Sequence, residues 1–250
     1  MHLELAGFWK PAFSLWYSVD PAALEQFLPP GFKLNLSLRR AGVPAGHLNI
    51  FISFMDSVRP AGLPDWCGIQ GWQINYCIYV ASSAEASGEV KGLYVLRSFI
   101  DEKHFAKINT LMPYFHFQPA AIQVSETEDA LNFEIAAKDS TNSIRLAKAD
   151  HEGTFRSQSL GSWQEAMNFL QHRNTFILSS GDFLEFGDLR FNQNGKRIIG
   201  PIGNVEFHPE LNPDLMQLEF ASQIESADFH LILGRRERPA PMREFAEIQQ

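Results

Sequence analysis

Apolar positions along the chain recur at strand spacing in many short runs and at helical spacing in three. From Ala12 to Val19 an apolar stretch predicts a strand, which runs directly into Asp20-Pro21-Ala22-Ala23-Leu24. Asp20 is placed to accept from the free amides of a helix start, Pro21 fits the first helical position, and Pro29-Pro30-Gly31 ends the pattern. His47 to Phe54 is mostly apolar. Trp72 to Val80 alternates, with Trp72, Ile74, Tyr76, Ile78 and Val80 on one face and Gln73, Asn75, Cys77 and Tyr79 on the other. Both segments predict strands, and between them Arg59-Pro60-Ala61-Gly62-Leu63-Pro64 has loop composition. Gly92 to Phe99 predicts a further strand. Asp101 then offers a second helix cap, and Phe105, Ile108, Leu111 and Met112 form a helical apolar stripe that Pro113 stops.

Past Pro119 the pattern becomes a meander, with strands expected near 120–126, 131–138, 143–149 and 153–160. Turn formers such as Glu128-Asp129 and Asp139-Ser140-Thr141-Asn142 separate them. Ser162-Trp163-Gln164-Glu165 has the spacing of a capping box and predicts a third helix to about Arg173. Strands near 174–179, 183–191, 202–207, 216–223 and 228–234 complete the reading, and the tail after Pro239 is expected to be loosely held. With no internal repeat and no hinge-length linker, residues 1–250 read as one domain. So many strands beside so few helices point to a mainly β (α+β) fold, a closed antiparallel sheet with helices outside, because closure removes exposed edges.

Composition narrows the classes of function. The chain of 250 residues holds 21 Phe, 17 Gly and 14 Pro, which suits pleated, aromatic-filled structure. A net charge of −8 and a pI near 5.5 argue against a protein that binds nucleic-acid phosphates. Arg235, Arg236 and Arg238 form the sole basic cluster, too small to change that, and read as solvated surface, with a subunit contact as the alternative. The N-terminus lacks a signal-peptide pattern and no window resembles a membrane span, so a cytoplasmic protein without a membrane partner is expected. Cys67 and Cys77, with no second pair and no nearby His, read as free thiols. Nucleotide-loop, zinc-protease, serine-hydrolase and paired-cysteine motifs are all missing. The eight His residues contain no i, i+4 pair, and no metal or cofactor is expected.

Several segments, in their order and spacing, carry a resemblance. They are Ala12 to Asp20, Leu24 with Leu28-Pro29-Pro30-Gly31-Phe32, Gly92 to Asp101, Pro113-Tyr114-Phe115-His116, Gly161 to Arg173 and Ser226 to Leu233. Together they resemble the acetoacetate decarboxylase-like superfamily, and within it a branch of uncharacterised bacterial proteins with a conserved domain of unknown function. The resemblance implies a single cone-shaped antiparallel β-barrel with about three short flanking helices, a small-molecule cavity inside it, and a homo-oligomer. In the decarboxylase, chemistry depends on a Schiff-base Lys whose pKa is lowered by an apolar site and an adjacent cation. That Lys belongs to a Pro-Lys-Lys segment after the helix, where this chain has Pro113-Tyr114-Phe115-His116, so both lysines are missing. By the same resemblance Lys10 matches a basic residue before the first strand, and Asn49 stands in place of a barrel Glu. Asp65 and Gln70 are the positions offered for a second Glu. A different register would bring Lys103 or Lys107 toward the catalytic position, from within the helix, where a solvated Lys is the simpler reading.

The substrate-binding set is then Lys10, Asn49, Asn75, Arg97, Tyr114 and Phe115, with His116 as the catalytic candidate. His116 either donates one hydrogen bond in a pocket wall or titrates as an acid or base. Tyr114, Phe115 and Phe117 either fill the core or wall a cavity. Arg97 lies in an apolar strand, so it is either an anion anchor or a strand-end residue paired with Asp101 or Glu102. Asn49, Gln73 and Asn75 make a hydrogen-bonding floor if they share the barrel interior, and are merely solvated if they point outward. Arg173 reads as a helix-end charge. The expected function is binding of a small anionic or carbonyl-bearing molecule in the barrel, without Schiff-base chemistry. One alternative is a lyase or hydratase-type enzyme on a small keto acid with His116 as acid/base. The other is an assembly protein with a filled barrel.

Overall fold

Two long strands, β1 (Leu3–Val19) and β4 (Val43–Pro60), run antiparallel side by side and set the height of the molecule. The computed structural model describes residues 3–40, 42–82, 90–111, 115, 117–138, 140–147, 157, 159–171, 175–180, 183–191, 199–201, 205–208, 216–224 and 226–237. Between the long strands lie α1 (Pro21–Glu25), β2 (Phe32–Leu34) and β3 (Leu38–Arg40). After β4 come a single 3-10 turn (Asp65–Cys67), β5 (Ile69–Ser82), β6 (Lys91–Asp101), α2 (Glu102–Leu111), β7 (Phe117–Glu126), β8 (Ala130–Ala137) and β9 (Ser140–Ala147). The rest comprises α3 (Trp163–Gln171), β10 (Thr175–Ser180), β11 (Phe183–Phe191), β12 (Ile199–Pro201), β13 (Val205–His208), β14 (Met216–Ile224) and β15 (Ala227–Glu237).

Strands β6, β10, β11, β15, β1, β4 and β5 pair in that order, and β5 pairs back to β6 to close a barrel, as the strand-rich pattern led us to expect. All its seams are antiparallel except β6–β10. That one is parallel because the chain leaves β6, builds everything from α2 to α3, and returns in the same direction, the long crossover that parallel neighbours need. β15 covers the N-terminal half of β1 and β14 covers the C-terminal half. β7, β8, β9 and β13 extend outward from the edge of β6, through a second parallel pairing of Ser98–Asp101 with Phe117–Ala120.

Both faces of the barrel wall are buried, each in its own core. The outward core joins Phe13, Leu15, Ile50, Ile52, Ile74 and Ile78 to Phe133, Ile135 and Ile144 of the β8–β9 layer that folds over them. Phe133 meets Phe13 and Trp72 edge-on, with ring centroids 6.0 and 5.2 Å apart. The inward core gathers Trp9, Trp16, Met55, Cys77, Phe176, Phe229 and Leu231. Helix α2 closes one end of it with Phe105, Ile108 and Leu111, and α3 the other with Trp163, Ala166 and Phe169. Phe169 lies against Trp16, His47, Tyr79 and Phe220.

Each helix starts where the side chains at its N-terminus satisfy the free amides. Asp20 accepts from Ala22 N at 2.9 Å and Asp101 from Lys103 N at 3.1 Å. Ser162 Oγ accepts from Glu165 N at 3.2 Å while Glu165 accepts from Gly161 N at 2.7 Å, a capping box closed one residue earlier than the usual reciprocal bond. Several details differ from expectation, among them the start of β1 at Leu3 and not at Ala12. Strand β4 continues through Arg59 and Pro60, leaving only 61–64 before the 3-10 turn. Of the strand expected near 153–160, residues 157, 159 and 160 are not strand; they are tied down by a carboxylate instead, Ser157 Oγ and Ser159 N both donating to Glu219. Residues 153–156 and 158, the end of the third helix at Arg173, and the tail after Pro239 lie outside the described residues.

Candidate active site in the barrel interior

Alternation on four neighbouring strands delivers a row of polar side chains to the inward face. β1 contributes Ser14, β4 contributes His47, Asn49 and Ser53, β5 contributes Gln73 and Asn75, and β6 contributes Ser98; all are buried. The register explains the grouping: Ser14 lies opposite Phe51, Asn49 opposite Trp16, Gln73 opposite Ser53 and Asn75 opposite Ser98. Buried amides and hydroxyls must be bonded, and these bond to one another. Ser14 Oγ accepts from Trp16 Nε1 at 2.9 Å and from Asn49 Nδ2 at 2.8 Å, and Asn49 also donates to Leu15 O at 3.2 Å. Gln73 Nε2 donates to Ser53 Oγ at 3.1 Å, and Ser98 Oγ donates to Asn75 Oδ1 at 2.7 Å.

Gln73 and Asn75 also line a cavity of about 30 Å³. Its other walls come from around the barrel: Trp9, Phe51 and Met55, then Phe176, Leu189, Phe229 and Leu231, with Phe115 entering from beyond α2. Trp9 stacks on Phe229 at 4.8 Å and meets Phe51 edge-on at 4.7 Å, and Phe115 stacks on Phe117 at 5.4 Å. Since roughly 10–15 Å³ of such space holds one water, the chamber has room for about two. One amide oxygen and one amide nitrogen are engaged by the serines, so Asn75 Nδ2 and Gln73 Oε1 are the donor and the acceptor that remain for the chamber. Deeper in the wall, burial pushes the Cys77 thiol far up from its ordinary range.

Of the residues picked out in the sequence, Asn49, Asn75 and Phe115 are brought to this interior, together with Gln73. Lys10 is not: its ammonium is half exposed, 3.4 Å from Asp56 on the outward side and 4.9 Å above the Phe8 ring. Arg97 lies one residue off the inward register of Ser98 and is exposed, with its guanidinium 5.7 Å from the Phe99 ring. Lys103 and Lys107 are exposed on α2, Asp65 begins the 3-10 turn between β4 and β5, and Gln70, at the start of β5, lines an open groove on the outside and not the chamber. Tyr114 and His116 lie outside the described residues. All six described lysines, at 10, 33, 91, 103, 107 and 138, are exposed.

Three buried groups were missed. His47 shares the inward face and packs between Tyr79 and Phe169. Glu185, only 3% exposed, sits opposite Leu178 in β11, on the inward side of its alternating neighbours Leu184 and Phe186. Glu219, 1% exposed, occupies the bulge where β14 skips a partner on β1 between Trp16 and Tyr17. A carboxylate set between apolar residues at period two, Leu184-Glu185-Phe186 or Leu218-Glu219-Phe220, is the signal that marks both. Among the described residues no three His, Cys, Asp or Glu side chains are grouped to hold a metal, and no helix is long and apolar enough to cross a membrane.

Comparison with known proteins agrees with this architecture. An acetoacetate decarboxylase-like enzyme from Sphingomonas wittichii RW1 superposes with a TM-score of 0.57 at 13% identity, covering 94% of this chain and 92% of that one. Acetoacetate decarboxylase from Legionella pneumophila gives 0.57 at 15% identity, over 94% and 87%. The enduracididine biosynthesis enzyme MppR, complexed with the condensation product of pyruvate and imidazole 4-carboxaldehyde, gives 0.51 at 14% identity, over 96% and 90%. No curated protein matches the sequence. The model of the DUF2071 family, described as an uncharacterized conserved protein, matches residues 8–179. With its acetoacetate decarboxylase-like barrel and most of the chain inside that match, the protein belongs to the DUF2071 family.

Proposed function

We propose that the barrel interior binds a small, uncharged organic molecule bearing a carbonyl or hydroxyl group, held by hydrogen bonds and not by a Schiff base. The observation that carries this is the pair Gln73 and Asn75, each anchored by a serine and each facing a chamber walled otherwise by aromatic and aliphatic side chains. A donor and an acceptor side by side suit a carbonyl or hydroxyl, and the apolar wall suits the carbon skeleton. The anionic half of the sequence expectation is set aside. The described inward wall offers amides, hydroxyls, a thiol, the Glu185 carboxyl group and the His47 imidazole, which packs against Tyr79 and Phe169 and does not line the chamber, whereas Lys10 and Arg97 face away. A carboxylate ligand in the chamber would meet no described Lys or Arg, and an uncompensated buried charge costs several kcal/mol. The exposure of all six described lysines supports the non-covalent part.

A second reading rests on the aromatic wall itself. Phe51, Phe115, Phe176 and Phe229 leave so little space that the barrel serves as a filled scaffold. Thermal shift with matched pairs, acetone and 2-butanone against pyruvate and acetoacetate, separates the two. The binding reading expects the ketones to raise Tm, by the equivalent of about 2.7 kcal/mol at one hundred times Kd, and Asn75→Leu to abolish the rise. Tighter binding of the keto acids, or a borohydride-stable adduct on a Lys, would overturn it. No shift with any of them favours the filled scaffold.

A further inference from the structure

At the α2 end of the barrel the β4–β5 connection, which shares no lining residue with the chamber, holds a large aromatic side chain out in water. Trp66 is 86% exposed and Leu63 beside it is 48% exposed. The segment carrying them is not a loose loop. Arg59 donates through Nε to Leu63 O at 2.7 Å and through Nη1 to Ser57 O at 2.8 Å, and it pairs with Asp65. Ala61 N donates to Glu4 O at 2.8 Å, and Gly68 N to Asp65 O at 3.0 Å. Ser57 takes a left-handed backbone (φ 55°), and Gly68 is pressed so closely on it that a Cβ there would stand 2.4 Å from the Ser57 backbone. Exposing a Trp on a braced segment is costly in water, and it lowers the ordering cost of binding. Strain held in this way is characteristic of segments with a task.

Directly beside the Trp66 segment, between it and α2, runs an open groove of about 770 Å³. It is lined by the apolar Pro60, Leu63, Ile69 and Leu111 together with Lys107 and His104. We infer that this face is a self-association surface, in which Trp66 of one copy seats in the groove of a second copy and the second reciprocates. The groove and the side chain that fits it are built by the same short segment, so a two-fold axis at their border satisfies both at once, the isologous arrangement of a closed dimer. Charge supports a second copy as the occupant. Asp65 pairs with Arg59 of its own chain yet stays 63% exposed, so its open side would also come to the partner's Lys107 as the Trp66 ring enters the groove. That local match matters because two chains of net charge −8 otherwise repel. A buried Trp at the centre of such a contact is the kind of residue that dominates interface energies.

Sedimentation equilibrium of the full chain across a concentration series tests this. The wild type is expected to dimerise, Trp66→Ala to weaken the dimer at least tenfold without lowering Tm, and Lys107→Asp to weaken it similarly. The exposed Cys67 of the same segment gives a second readout: its alkylation slows as the wild type is concentrated and stays independent of concentration in Trp66→Ala. A wild type that is monomeric throughout overturns the proposal, and if it sediments with phosphatidylcholine vesicles through Trp66 the occupant is a membrane instead. A dimer that Trp66→Ala leaves intact overturns it too.

Discussion

Replacing Phe115 by alanine removes the wall of the inner chamber that enters from outside the barrel sheet. Phe115 is 7% exposed, stacked on Phe117 and 6.5 Å from Phe176. A buried Phe→Ala change costs about 3–5 kcal/mol, of which the cavity part scales at roughly 24 cal/mol per Å³ left unfilled. The existing 30 Å³ already corresponds to about 0.7 kcal/mol at that rate, so the deleted ring joins a space that cannot collapse without moving Gln73 and Asn75 from their serines. The cost is therefore expected at the upper end of the range, measured by urea unfolding with an unchanged m value. If the chamber is a ligand site, the enlarged space should also take up a neutral aromatic ketone such as acetophenone and regain a large part of the lost stability. A loss below about 1 kcal/mol would refute the placement of Phe115 in the wall. A full loss with no recovery by any neutral ligand would refute the reading of the chamber as a site.

Three further outcomes follow from the described geometry. In dilute solution one thiol, Cys67, should be alkylated rapidly and the second, Cys77, only on unfolding, counted by mass; two fast thiols would contradict the inward placement of Cys77. Burial raises the pKa of Cys77, Tyr17 and Tyr94, so above the ordinary thiol and phenol ranges the unfolded chain releases protons that the native one keeps. Stability should accordingly fall as pH rises from roughly 8.5, and Cys77→Ala should flatten the first part of that fall in urea titrations at stepped pH. Gly92→Ala should cost about 1–3 kcal/mol, because its Cβ would stand 2.7 Å from the backbone oxygen of Thr175; a variant as stable as the wild type would mean that the β6–β10 contact is looser than described.

Local signals were the most legible. Asp20 with Pro21, Asp101, and Ser162 with Glu165 each mark a helix start that the backbone respects, because a cap depends only on neighbours within a few residues. The alternation from Trp72 to Val80 separated the two faces of β5 correctly, yet it could not say which face is inward. Both are buried, and that choice depends on the distant β8–β9 layer. The beginning of β1 at Leu3 was hidden by Lys10-Pro11 and by the register shift between Trp9 and Ala12, which break the period of two. At the site, Asn49, Asn75 and Phe115 were recognisable as polar or aromatic residues on apolar strands. Lys10 drew attention through the family resemblance and Arg97 as a charge in an apolar strand, and one step of register sends each outward.

The closure of the barrel has a weak point that the strand list conceals. The parallel seam between β6 and β10 consists of Leu93 with Phe176 and Ile177 with Tyr94, whereas β1 and β4 pair along nearly their whole length. Opening so short a seam sacrifices few backbone bonds, so it belongs to the low-free-energy end of the molecule's local unfolding. Phe176 is also a wall residue of the inner chamber. Breathing at this seam would swing that ring aside and admit small solutes laterally, between strands, while α2 and α3 remain seated as plugs on the two ends.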